Sequence, residues 1–134
     1  CCMVEGFSGR IQIAGRLTPP ISALVVRHQG EEIRFDRLLN LWNQSAILAY
    51  PAWVLHMKGS YGEVELEMTA QPELMACLGY ENPNGALSYC LNSKLAFARL
   101  RLSPKHGKSV EYTSLFGGAL EFLVPENPGF RHVV

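Results

Sequence analysis

Apolar and polar residues alternate with a period of two along most of the chain. Val64, Leu66 and Met68 alternate with Glu63, Glu65 and Glu67; Ala96, Ala98, Leu100 and Leu102 with Leu95, Phe97, Arg99 and Arg101; and Leu120, Phe122 and Val124 with Ala119, Glu121 and Leu123. Successive side chains of a strand point to opposite faces, so this pattern predicts strands with one dry face and one wet face. Ile11 and Ile13 alternate with Arg10 and Gln12 in the same way. Residues 22–28 and 53–58 are apolar on both sides and also read as strands; Trp53, Leu55 and Met57 fall on one face of the second, Val54, His56 and Lys58 on the other. Gln29-Gly30 turns the first of them into residues 31–35. Two more strands, 73–80 and 86–91, flank the turn Glu81-Asn82-Pro83-Asn84-Gly85, where Asn-Gly supplies the positive backbone angles of a hairpin. Only residues 37–48 have a marginal helical pattern.

Turn signals such as Pro19-Pro20, Gly30, Pro51 and Gly117-Gly118 punctuate the chain at the spacing of a sandwich or barrel. The count is nine or ten short strands joined mostly by hairpins. A meander without helical crossovers closes most naturally into an antiparallel, up-and-down β-barrel of about eight to ten strands, which also removes exposed sheet edges. The fold class is therefore all-β. Residues 1–134 form one domain, with 125–134 an irregular tail.

Composition narrows the partners. The 134 residues are 48% hydrophobic and 18% charged, so much of the surface is expected to be covered or to line a cavity. Twelve basic residues balance twelve acidic ones, which argues against nucleic acid, whose phosphates call for a basic surplus. No apolar run is long enough for a transmembrane helix. The chain opens Cys1-Cys2 without a methionine, as a processed product or an excised domain would. A soluble, cytoplasmic location is slightly favoured. Cys1, Cys2, Cys77 and Cys90 match no zinc spacing. Cys77 and Cys90 could face each other across a hairpin, but two buried thiols are preferred to a disulfide.

The segment Glu81-Asn82-Pro83-Asn84-Gly85-Ala86-Leu87-Ser88-Tyr89-Cys90-Leu91-Asn92-Ser93-Lys94-Leu95-Ala96 resembles one found in the lipocalin-like superfamily of tocopherol cyclase, carotenoid hydratases and cofactor-free Diels–Alderases. The likeness lies in an Asn-Pro-x-Gly turn, an aromatic strand, then Asn-Ser-x-Leu-Ala opening the next strand. Residues 20–27 and Leu120-Glu121 add to it. The resemblance implies a lipocalin-like barrel for an isoprenoid, polyene or polyketide-like ligand. If the protein is an enzyme, it implies a cofactor-free cyclase or isomerase. Members usually carry two barrel-like halves, so a chain of this length corresponds to one half; a homo-oligomer or a second domain would supply the other.

Candidate chemistry is sparse. His28, His56, His106 and His132 are scattered, and none pairs with a carboxylate at metal-ligand spacing, so no metal is expected. No serine elbow accompanies Gly117-Gly118, and Gly6-Phe7-Ser8-Gly9 lacks the end of a phosphate loop. Glu63, Glu65 and Glu67 read as a solvated face. Glu121 stands in an apolar strand, where Arg99 or Arg101 could pair with it. Tyrosine and tryptophan bring polar handles to an apolar cavity. The candidate ligand-binding residues are Trp53, His56, Tyr89, Asn92, Arg99 and Glu121. His56 would act at the cavity mouth as an acid or base, and Tyr89, Asn92 or Trp53 would polarise a carbonyl. No cofactor is called for. The leading function is binding of a small apolar ligand. A β-rich structural or protein-interaction module, one domain of a longer or oligomeric protein, is the alternative.

Overall fold

The computed structural model describes residues 2–37 and 42–131. Among these, eleven strands follow one another without an α-helix: β1 (Cys2–Gly9), β2 (Gln12–Ile13), β3 (Arg16–Leu17), β4 (Ile21–His28), β5 (Glu31–Phe35), β6 (Gln44–Ala49), β7 (Ala52–Lys58), β8 (Gly62–Thr69), β9 (Ala76–Glu81), β10 (Leu87–Pro104) and β11 (Val110–Val124). One 3-10 turn spans Pro72–Leu74. The all-β class holds, and most sheet neighbours are sequence neighbours, β1 with β4 and β8 with β10 being the exceptions. One sheet runs β1-β4-β5, a second runs β11-β10-β8-β7-β6 with β9 also on β10, and β2-β3 is a small hairpin. Every pairing is antiparallel.

The alternation seen in the sequence becomes the two faces of the larger sheet. Leu55 on β7 stands opposite Leu66 on β8, which stands opposite Leu100 on β10; Met57, Val64 and Leu102 form the next rung. All six are buried. One residue out of phase, His56, Glu65, Arg101 and Glu111 line up on the opposite face. Leu24, Val26, Ile33 and Phe35 of the smaller sheet close over the apolar rungs and share one core with them. The result is an antiparallel, curled half-barrel. Among the described residues no ladder joins β5 to β6 or β1 to β11.

Two turns follow from glycine. Ala14-Gly15 and Gln29-Gly30 each place two successive residues at positive φ, the geometry that matches the twist of a two-residue hairpin. The Asn82–Gly85 turn forms between β9 and β10 as its sequence implies: the amide of Asn82 donates to the carbonyl of Ala86 and that of Gly85 to the carbonyl of Asn82, each at 2.8 Å.

Three local expectations need correction. The marginal helix at 37–48 is replaced over Gln44–Ala49 by β6, whose partner β7 satisfies its backbone; residues 38–41 lie outside the described residues. The strand expected at 73–80 starts at Ala76, because Pro72 opens the 3-10 turn. No turn follows Asn92: β10 runs unbroken for 18 residues, and register shifts between Ser93 and Ala98 absorb the irregularity. The preference for thiols over a disulfide agrees with the structure: Cys77 and Cys90 are both free, Cys77 buried and Cys90 partly buried. Cys77 stands opposite Leu91, so its immediate strand neighbour Cys90 carries its side chain on the other face of the sheet.

Candidate binding cleft

The outermost strands of the two sheets, β1 and β11, run side by side without hydrogen bonding. Residues 2–6 of β1 lie beside residues 112–119 of β11, and residues 6–10 beside 119–124, so the two strands point the same way. Between them lies a cleft with two adjoining lobes of about 670 Å³ and 840 Å³ that share Gly6, Trp53 and Ala119. The floor is apolar. Leu66, Met68 and Leu100 underlie the first lobe; Leu120 and Phe122 line the second. These residues follow from the strand alternation, which turns Leu120 and Phe122 inward while Glu121 and Leu123 stay at the surface.

Trp53 is the polar handle of the floor. Its ring is 7% exposed, and its Nε1–H donates to Ser8 Oγ at 2.8 Å. Ser8 Oγ is in turn 2.6 Å from the Oγ of buried Ser22. The chain of hydroxyls satisfies the indole and links β7 to β1 and β4. At one end of the cleft the Tyr112 hydroxyl hydrogen bonds with His28 Nδ1 at 3.0 Å, their rings 5.6 Å apart and edge-on. At the other end Tyr50 packs edge-on against Phe122 and Phe130, and burial pushes its phenol pKa up. The Cys2 thiol at the first lobe is raised by burial as well.

The six residues singled out in the sequence do not converge. Trp53 lies on the cleft floor and Glu121 at the rim of the second lobe. Asn92 donates from Nδ2 to Glu121 Oε1, and Lys94 Nζ lies 3.0 Å from the same oxygen. That hydrogen bond to Lys94, then Asn92, holds the Glu121 carboxyl below the ordinary value of 4.5. The expected pairing of Glu121 with Arg99 or Arg101 is thus not formed. Register puts Arg99 opposite Glu67 and Arg101 opposite Glu65, with N–O distances of 2.8 Å and 3.7 Å. His56 also stands on the outer face, its Nε2 3.1 Å from Glu63 Oε2. His56 and Arg99 border a shallow outer depression of about 220 Å³ with Glu65, Glu67 and Glu111. Tyr89, opposite Val124 on β11 and Gly79 on β9, shares the inward face with Leu91 beyond the cleft. His132 lies outside the described residues.

Glu63, Glu65 and Glu67 form the solvated face that their spacing implies, each beside a cation: Lys58 at 2.9 Å together with His56, Arg101, and Arg99. Ser8, Tyr50 and Tyr112 were missed. Ser8 carries no local signal, because its partner is 45 residues away. Chemically, the cleft offers apolar contact and a satisfied indole–hydroxyl chain. Among the described residues Ser8 Oγ bonds Trp53 and Ser22 and no histidine or carboxylate of the kind that activates a hydroxyl nucleophile. Among the described residues no three His, Cys, Asp or Glu side chains cluster as a metal site requires, and no helix is long and apolar enough to cross a membrane. Compared with protein-family models, with curated proteins and with solved structures, the chain matches none.

Proposed function

We propose that the protein is a binding module whose site is the cleft between β1 and β11, and that this cleft takes a small apolar molecule. The observation that carries the reading is the cleft floor: aliphatic and thioether side chains around one nearly buried indole whose N–H is already satisfied by Ser8. Such a surface rewards apolar contact. The lipocalin-like resemblance of residues 81–96 points the same way, toward an isoprenoid, polyene or polyketide-like ligand, with closure to a full barrel of eight to ten strands as part of the proposal.

Trp53 is a built-in reporter. Trp42 is 87% exposed, so Trp42→Phe leaves the cleft indole as the only tryptophan of the two. Titration with a fluorescent polyene fatty acid is expected to quench Trp53 with saturable one-to-one stoichiometry. The absence of a saturable phase would remove the small-ligand reading. The second reading, a protein-interaction module, is favoured by a separate observation: Phe7 on β1 and Leu115, Phe116 and Leu123 on β11 are each more than half exposed beside the unpaired edges.

A further inference from the structure

We infer that the cleft accepts one extended polypeptide strand, running antiparallel to both β1 and β11; the inference rests on the reading of the cleft as the binding site and names a partner for it. Three features point to a strand. First, among the described residues each bounding strand is paired on its far side only, β1 with β4 and β11 with β10, so both present unpaired main-chain donors and acceptors to the cleft. A small apolar molecule would leave these rows to water, whereas a strand engages both. Second, β1 and β11 point the same way. They flank a position that a single strand of opposite direction completes with two antiparallel ladders, the kind found throughout the described residues. Third, the two strands are too far apart to pair with each other: their Cα traces stay more than 8 Å apart over almost all their length, while paired neighbours lie about 4.8 Å apart and two strands sharing a middle one about 9.6 Å. At about 3.3 Å per residue, β1 matches an occupant of roughly eight residues.

The cleft walls also define the occupant's side chains. Inward positions meet Trp53, Leu66, Met68 and Leu120 and call for apolar residues. Outward positions emerge into solvent beside Glu5 and Glu121, which already bridge Arg27 and Lys94, and take polar residues of either sign. The partner is therefore a strand that alternates apolar with polar residues.

The test appends such a strand, alternating valine with lysine and threonine, to the C-terminus of the full chain through a glycine–serine linker, which holds it at a local concentration of order millimolar. A control carries proline at alternate positions, which removes ladder donors. Amide hydrogen exchange is read on β1 and β11, and binding of the fluorescent polyene is read in parallel. The expected result is at least tenfold slower exchange on both strands and loss of polyene binding with the valine version, and neither with the proline version. Protection of one strand only, or of none, overturns the inference. If the polyene still saturates the unmodified chain in that case, the cleft survives as a small-molecule site; if it does not, both readings fall. Protection of both strands without polyene binding to the unmodified chain supports the strand and removes the small ligand.

Discussion

The Trp53 indole and the Ser8 hydroxyl, 45 residues apart, meet at 2.8 Å and tie the larger sheet to the smaller one beneath the cleft. Trp53→Phe removes the donor and keeps most of the ring. Ser8 retains Ser22 as a partner, so no buried hydroxyl is stranded. The expected loss is about 1–2 kcal/mol by urea unfolding, one hydrogen bond plus a small packing defect. Trp53→Ala opens the floor and is expected to cost about 3–5 kcal/mol.

Gly62 and Gly9 form a matched pair of substitutions. A Cβ on Gly62 would lie 2.1 Å from the Ser103 carbonyl oxygen and 2.9 Å from the Lys105 nitrogen, at a φ of +145°. Those atoms are backbone and cannot swing away. Gly62→Ala is expected to destabilise by at least about 2 kcal/mol. A Cβ on Gly9 meets nothing within 4 Å. Gly9→Ala is expected to be neutral or to stabilise by up to about 1 kcal/mol through the unfolded chain. Thermal unfolding of the two variants reads the contrast directly.

Cys77 and Cys90 point to opposite faces of the sheet and are expected to stay reduced in the folded protein. Alkylation in denaturant without reductant should label both. In the native state Cys77 is buried and should label only as the protein opens. Cys90 should react slowly, because burial and then the neighbouring Glu121 raise its thiol pKa. A mass showing a Cys77–Cys90 bond would contradict the assigned register.

Acid stability follows from the carboxylates held low. Hydrogen bonds from Lys58 and His56 depress Glu63, Lys94 depresses Glu121, and Arg34 depresses Glu32 and Asp36. A depressed carboxylate contributes fully above its unfolded value, 4.5 for glutamate, and loses that contribution as pH falls through the folded value. The unfolding midpoint should therefore be flat from neutrality to about pH 5 and decline below it. All these groups are exposed, so the decline should be shallow. In molar salt, where the screening length is about 3 Å, it should shrink further.

β8 was legible from its unambiguous period-two pattern, β4 and β7 as short apolar runs bounded by turn signals, and the Gln29-Gly30 and Asn84-Gly85 turns because glycine supplies positive φ. β10 was harder: Asn92-Ser93-Lys94 has the composition of a break, yet ladders with β9 and β11 carry the strand through it. β6 was misread because apolar residues around position 40 fit a helix, and only pairing with β7 decides for a strand. The site was less legible still. Trp53 was found as an apolar-face aromatic. Which cation meets Glu121 depends on cross-strand register, which no local pattern encodes, so Lys94 was missed and Arg99 chosen.

The order of the sheets carries a kinetic consequence. Because β4, β5, β7, β8, β10 and β11 each pair with a strand near them in sequence, most of the structure assembles from nearby hairpins, which close quickly. The side-chain bonds that bridge the two sheets, Ser8 with Trp53 and His28 with Tyr112, span 45 and 84 residues. Docking the sheets therefore bears the long loop-closure entropy and is the slow event. Variants at Trp53 or Tyr112 should slow refolding more than variants inside a hairpin of equal cost. The seam that forms last is the one that borders the cleft.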